Sequence, residues 1–228
     1  SHWHANGAQK TDFGKGHTAM QRISPLEKLT YTGGLLGQNM IYAFVQLYIM
    51  FFFTDLLRIP AQSVTVIVVI ASLWDAVNDP IMGVIADRTH SKFGKFRPYL
   101  LIGPALIAVT TVLCFTSFGG SPIGTAIVAA VCYVLWDMTY TVCDIPIWAI
   151  SSVVSREPTE KNTMVTLGKI GGTLGTVIVS VGSVMLLNLF GGERVSTAYT
   201  LSAAAIAALG AVLMALSGVF VKERIEHP

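Results

Sequence analysis

The chain has 228 residues, of which 53% are hydrophobic and 12% charged, and its formal net charge at pH 7 is +2. Soluble domains are about 25% charged, so this composition indicates an integral membrane protein in contact with the lipid bilayer. The small net charge argues against nucleic acid or an acidic macromolecule as a partner. The three cysteines lie in apolar stretches without zinc-binding spacing, which is typical of small buried side chains.

The polar start of the chain is expected to be a disordered leader over residues 1–22, in part an artificial addition. It is rich in Gly, His and Lys and lacks the apolar core of a signal peptide. Residues 23–222 are expected to hold the transmembrane domain, and residues 223–228 a cytoplasmic tail.

Six apolar stretches are long enough to cross a membrane, because about 30 Å of hydrocarbon requires about 20 helical residues. Proline and glycine positions separate the stretches. The predicted spans are about 29–54, 64–86, 98–118, 122–152, 164–190 and 198–221. The pattern predicts an all-α membrane protein with six transmembrane helices.

Lys and Arg residues flank these spans unevenly. Twelve of them lie near the N-terminus, after the second and fourth spans, and in the tail, whereas the other loops contain Arg58 and Arg194. Because cytoplasmic loops carry the excess of basic residues, both termini are predicted to be cytoplasmic.

Four aspartates lie inside the predicted spans, where Lys169 is the one base at comparable depth. A carboxylate at the bilayer centre costs about 2.5–3.5 kcal/mol on insertion scales, so such groups usually line a polar cavity or meet a cation. Asp75 and Asp79 share one helical face and repel each other unless a cation or proton neutralises them. Asn78 is adjacent, and Pro80 frees a backbone carbonyl nearby. This group predicts a site for Na⁺ or H⁺.

A second polar stripe lies on the fourth span. At spacings i, i+4, i+7 and i+11 it contains Asp137, Thr141, Asp144 and Trp148. With Tyr140 at its border, the stripe combines aromatic faces, which stack on sugar rings, with carboxylates, which accept hydrogen bonds from hydroxyls. It therefore predicts a sugar site, in which Asp137 is left without a role. The alternative is that the aspartates join helices, with Lys169 neutralising one of them.

Glycines recur at helical spacing on the fifth span, at Gly168, Gly171, Gly172 and Gly175. They favour close helix packing over a ligand role. The run Phe51–Phe53 is predicted to face lipid or the membrane interface. Since no nucleophile–base set, phosphate loop or zinc pattern is present, we expect neither an enzyme nor a cofactor beyond a coupling ion.

The loop after the second span reads GVIADRTHSKFGKFRP, from Gly83 to Pro98. This string resembles the signature cytoplasmic loop of the major facilitator superfamily. The resemblance implies that Asp87, Arg88 and Arg97 latch helix ends during gating. A solvated basic loop would account for these charges but not for their order.

Three further strings, KLTYTGG, WDAVNDPIMG and MTYTVCDIPIW, resemble the glycoside–pentoside–hexuronide:cation symporters, and the similarity covers about residues 26–226. The resemblance implies a cation site made by Asp75, Asp79, Asn78 and Thr141. It also implies a sugar site made by Gln38, Asn39, Tyr140, Asp144, Trp148 and Lys169.

The chain departs from the family pattern at two places. Gln38-Asn39 replaces a Lys-Asp pair, and Asp137 stands where a glycine is usual. The cation pair is intact, whereas the changed first-span pair leaves the identity of the sugar open.

The family fold has two six-helix halves, each built of two inverted three-helix repeats, with substrate bound between the halves. The chain resembles the N-terminal half, to be completed by a second half or by a second copy. We therefore expect a Na⁺- or H⁺-coupled sugar or glycoside symporter, working by alternating access in a bacterial inner membrane. The alternatives are a half that binds ligand or a partner half without transport, and a glucuronide or lipid-like cargo.

Overall fold

A computed structural model describes residues 22–89, 91–92 and 94–225 of the chain. The predicted leader up to residue 21 and the predicted tail beyond residue 225 lie outside the described residues. Six helices follow one another: α1 (Pro25–Phe51), α2 (Ala61–Arg88), α3 (Arg97–Cys114), α4 (Pro122–Val153), α5 (Pro158–Leu189) and α6 (Ser196–Phe220). All six are long and apolar enough to cross a membrane. The prediction of an all-α protein with six spans is confirmed.

The helix ends follow local capping chemistry. At the start of α1, the Ser24 side chain accepts a hydrogen bond from the Glu27 backbone, and the Glu27 side chain accepts one from the Ser24 backbone. Helix α5 begins at Pro158, well before the predicted start at 164, because proline fits the first turn of a helix. Helix α3 ends at Cys114, before the predicted 118, and the Thr200 hydroxyl donates to the carbonyl oxygen of the next residue, Phe115.

Two sets of three helices pack in a related way. Helix α1 packs on α5 and α6, α4 packs on α2 and α3, and α3 packs on α6. These principal pairings are unchanged when α1, α2 and α3 are exchanged with α4, α5 and α6. This is the pattern expected of two three-helix repeats.

An aromatic cluster fills the core near the end of α1. A π-helical turn, Phe52–Leu56, follows α1 and places Phe52 and Phe53 in the interior. The Phe52 ring lies 5.2 Å from that of Phe115 and 5.7 Å from that of Tyr199, centroid to centroid. The prediction that this run faces lipid is wrong for Phe52 and Phe53, because the wider turn changes the direction in which successive side chains project.

Glycines bring α5 directly against the backbone of α1. A Cβ atom at Gly171 would collide with the carbonyl oxygen of Thr32, and one at Gly175 with that of Leu36. The packing interpretation of the glycine spacing therefore fits the observed contact.

Candidate functional site

A cavity of about 340 Å³ lies between α1, α2 and α4. Four carboxylates and four aromatic rings are among its walls. The lining residues are Tyr42, Gln46, Val68, Ser72, Asp75, Asp79, Tyr133, Trp136, Asp137, Tyr140, Thr141 and Asp144. All four aspartates singled out in the sequence therefore face one space.

The predicted cation residues lie at the contact of α2 with α4. Thr141 Oγ1 donates to Asp79 Oδ1 over 3.2 Å and also lies 3.3 Å from the backbone oxygen of Asp137. Asp75 lies one turn before Asp79 on α2, and its carboxyl faces that of Asp137 within hydrogen-bonding reach. Asp75, Asp79 and Thr141 are thus brought together.

Asp144 is held by three uncharged donors. Gln38 Nε2, fully buried on α1, donates to Asp144 Oδ1 over 2.5 Å. The Tyr140 hydroxyl lies 3.4 Å from the same oxygen, and the Trp148 side chain also hydrogen-bonds this carboxylate. These contacts fix the orientation of Asp144 without a positive charge that would compete with a ligand.

Five predicted residues do not line the cavity. Two of them, Gln38 and Trp148, hydrogen-bond Asp144, and the other three are Asn39, Asn78 and Lys169. Asn39 donates to the carbonyl of Leu35 on its own helix over 2.9 Å and packs beside Gly172 of α5. Asn78 is half-buried, and its Nδ2 has no hydrogen-bond partner among the described residues. Lys169 is exposed, and no ion pair joins it to an aspartate in the described part of the chain. The alternative in which Lys169 neutralises an aspartate finds no support in these contacts.

Several lining residues were not predicted from the sequence. Tyr42 stacks on Trp136 and lies against Tyr140, with ring centroids 6.4 Å and 5.1 Å apart. Gln38, Tyr42 and Gln46 recur every four residues on α1, so they form a polar stripe of the same kind as that on α4. This spacing is the signal that would have placed α1 in the cavity wall.

Asp137 lies beside the aspartates of α2 in the structure. It is 9% exposed, lines the cavity and lies one turn before Thr141. Among the described residues, no three His, Cys, Asp or Glu side chains converge as a closed metal site. A cation here would therefore be held by fewer carboxylates, together with neutral oxygens and water.

Two of the three residues predicted to latch helix ends make defined contacts around the loop between α2 and α3. Asp87 Oδ1 lies 2.8 Å from Lys95 Nζ. Arg97 Nε and Nη2 donate to the carbonyl oxygens of Gly218 and Val219, at the end of α6, over 2.9 Å and 2.8 Å. Those carbonyls have no partner within their own helix, so they attract the guanidinium.

Glu223 completes this contact from the other side. Its carboxylate accepts backbone hydrogen bonds from Lys95, Phe96 and Arg97 over 2.8 Å, 2.8 Å and 3.0 Å, at the start of α3. A carboxylate at a helix N-terminus satisfies free N–H groups and interacts favourably with the helix dipole. The predicted tail is therefore, at least as far as residue 225, part of the packed structure.

Comparison with known proteins gives consistent similarities. Residues 30–228 match the family described as MFS/sugar transport protein. The chain is 34% identical over 206 residues to the inner membrane symporter YicJ of Escherichia coli, covering 90% of this chain and 45% of that protein. It is 33% identical over 202 residues to the isoprimeverose transporter of Lactiplantibacillus pentosus, covering 88% and 42%. A lactose permease of Lactobacillus delbrueckii is 27% identical over 179 residues, covering 74% and 28%. The chain thus spans less than half the length of these relatives.

Proposed function

Because the chain belongs to the MFS/sugar transport protein family, we propose that it is one six-helix half of a cation-coupled sugar or glycoside symporter. The observation that carries this proposal is the single cavity in which the α2 acids meet Thr141 while Asp144 is held by Gln38, Tyr140 and Trp148. The complete transporter would consist of this chain and a second six-helix body, either a separate half or a second copy.

Cation and sugar would act on the same helix. Thr141, bonded to Asp79, and Asp144, the proposed sugar acceptor, lie one turn apart on α4. A Na⁺ or H⁺ at Asp75 and Asp79 would lower the repulsion in the cavity and hold α4 in the position that presents Asp144 to sugar hydroxyls. By thermodynamic linkage, bound sugar would then raise cation affinity by the same factor.

Transport would require the second body. The cavity is open on the side not covered by α1, α2 and α4, and α2 exposes apolar side chains such as Val69, Leu73 and Val77. Rocking of one six-helix body against the other would expose the cavity to each side of the membrane in turn. The name of the YicJ relative supports an inner-membrane location for the complete transporter.

The test uses the complete transporter in liposomes with an imposed Na⁺ or H⁺ gradient. Isoprimeverose and lactose serve as probes because they occur in the names of relatives, and a glucuronide tests the alternative cargo. We expect gradient-driven uptake of at least one probe and its loss in Asp75→Asn and Asp79→Asn. Asp55→Asn is the matched control, because Asp55 is exposed beyond α1 and outside the cavity.

Unchanged uptake in both α2 variants would show that the cation assignment is wrong. The alternative is a six-helix body that binds ligand without transport, which the cavity formed by α1, α2 and α4 would allow. Calorimetry that detects sugar binding to this chain by itself, with no uptake by any pairing of two bodies, would support that alternative.

A further inference from the structure

Asp137 has an unsatisfied carboxyl oxygen at the cavity wall. Its side chain is 9% exposed, and its Oδ2 atom is buried without a hydrogen-bond partner among the described residues. A buried carboxylate oxygen is unfavourable unless it is paired or hydrogen-bonded. Asp137 lines the cavity, so a ligand bound there from solution can supply the partner that this oxygen lacks.

The groups around Asp137 are acidic or neutral. Asp75 and Asp79 face it from α2, Tyr133 from its own helix and Cys114 from α3. The described lining of the cavity contains no Lys, Arg or His. A positive charge at this point must therefore come from a bound cation.

Two acids on different helices meet at this point. The carboxyls of Asp75 and Asp137 face each other across the contact of α2 with α4, whereas Asp79 is engaged by the Thr141 hydroxyl. Carboxylate and hydroxyl oxygens are the ligands that hard cations prefer. This arrangement favours a cation between the helices over one held by Asp75 and Asp79 along α2.

We propose that Asp137 is a direct ligand of the coupling cation and shares one Na⁺ with Asp75. This inference rests on the proposed function and names the ion and a further ligand. The bound Na⁺ joins α2 to α4, one turn from Thr141 and two turns from Asp144. Cation binding therefore fixes the helix that carries the sugar acceptor.

The experiment measures Na⁺ binding to the complete transporter in lipid nanodiscs, by calorimetry, with choline keeping the ionic strength constant. Losing one carboxylate ligand weakens metal binding by at least the roughly 10- to 100-fold that outer-shell changes cause. We expect Asp137→Asn to raise the Na⁺ dissociation constant by about tenfold or more and to alter the preference for Li⁺ over Na⁺. Asp55→Asn is expected to match the wild type.

A double variant distinguishes a Na⁺ shared by Asp75 and Asp137 from a packing defect caused by the substitution at Asp137. If Asp75 and Asp137 hold the same Na⁺, the loss of Na⁺ binding free energy in the variant with both residues changed to Asn is smaller than the sum of the losses in the two single variants. Retained binding of isoprimeverose or lactose, whichever probe the wild type binds, at saturating Na⁺ in Asp137→Asn shows that the fold is intact.

Two results would overturn the proposal. One is an unchanged Na⁺ dissociation constant in Asp137→Asn, or fully additive effects in the double variant. The other is a wild type that binds sugar but shows no saturable Na⁺ binding. The second result leaves a proton-coupled symporter standing, so the failure of this inference is distinguishable from the failure of the proposed function.

Discussion

The hydrogen bond between Gln38 and Asp144 links α1 to α4 at the proposed sugar site. Gln38 is fully buried, and its Nε2 donates to Asp144 Oδ1 over 2.5 Å, a shorter distance than the 3.4 Å from the Tyr140 hydroxyl. A hydrogen bond to a carboxylate is about twice as strong as one between neutral groups. The amide therefore orients Asp144 while leaving its negative charge available to sugar hydroxyls.

We predict that Gln38→Leu weakens both the fold and sugar binding. The substitution removes a buried donor from a carboxylate, which costs about 1–3 kcal/mol in unfolding free energy. Unfolding in mixed micelles measures this loss, and calorimetry measures the affinity for the probe sugar. Gln62→Leu, at an exposed site in the first turn of α2, is the matched control and is expected to change neither. Equal effects of the two substitutions would contradict the role assigned to Gln38.

At the scale of residues, the sequence predicted which side chains share a helix face. It did not predict which residues of other helices they contact. The i, i+4 spacing placed Asp75 and Asp79 on one side of α2, and the structure brings both to the cavity. The proximity of Asp137 to Asp75 depends on the rotation of α4 against α2, which no spacing within one helix specifies. Lys169 illustrates the same limit, because its position in a span was predictable whereas its exposure and its absence from the cavity lining were not.

At the scale of helices, α1 is the central element because it packs on α5 and α6 and also supplies one wall of the cavity. The glycines of α5 let its backbone approach that of α1. Without a hydrophobic force between helices in lipid, such close packing is a main source of association. The position of the Gln38 stripe in the cavity therefore depends on small residues in a different helix.

We predict that Gly175→Ala destabilises the protein although alanine favours helices. The added methyl would meet the carbonyl oxygen of Leu36, so α1 and α5 must separate. Overpacking of this kind typically costs about 1–3 kcal/mol. Gly182→Ala is the matched control, because no atom lies within 4 Å of its added Cβ, and it is expected to be neutral or stabilising. Thermal unfolding in nanodiscs compares the two, and equal melting temperatures would refute the packing role.

The helix ends show which local sequence signals are sufficient to place the start of a helix. Ser24 and Glu27 form a capping box around Pro25, the first residue of α1. Prolines between the apolar stretches predict breaks, yet one of them, Pro158, is the first residue of α5, because proline disrupts a helix interior but not its first turn. The burial of Phe52 required the π-helical turn, which has no signal in the hydrophobic pattern.

At the scale of the whole molecule, the residues after α6 contact the starts of α1 and α3 and the end of α4. Glu223 binds the start of α3, and Arg224 Nη2 lies 2.8 Å from Glu27 Oε2 at the start of α1. The backbone nitrogen of Arg224 also donates to the carbonyl of Val153, at the end of α4, over 2.9 Å. These contacts hold four of the six helices together at one end of the bundle, as the rigid-body rocking under the proposed function requires.

The orientation of this bundle in the membrane is a separate prediction, and thiol labelling tests it. Lys92 lies in the basic loop after α2 and Arg194 in the loop before α6, and both are exposed. Because basic residues are retained in the cytoplasm, we expect a membrane-impermeant maleimide to label Arg194→Cys in intact cells and Lys92→Cys only in inside-out vesicles. The native Cys114, Cys132 and Cys143 are buried, so the unsubstituted protein is the unlabelled control. Labelling of Lys92→Cys in intact cells would reverse the orientation and place Glu223 and its contacts on the outer side.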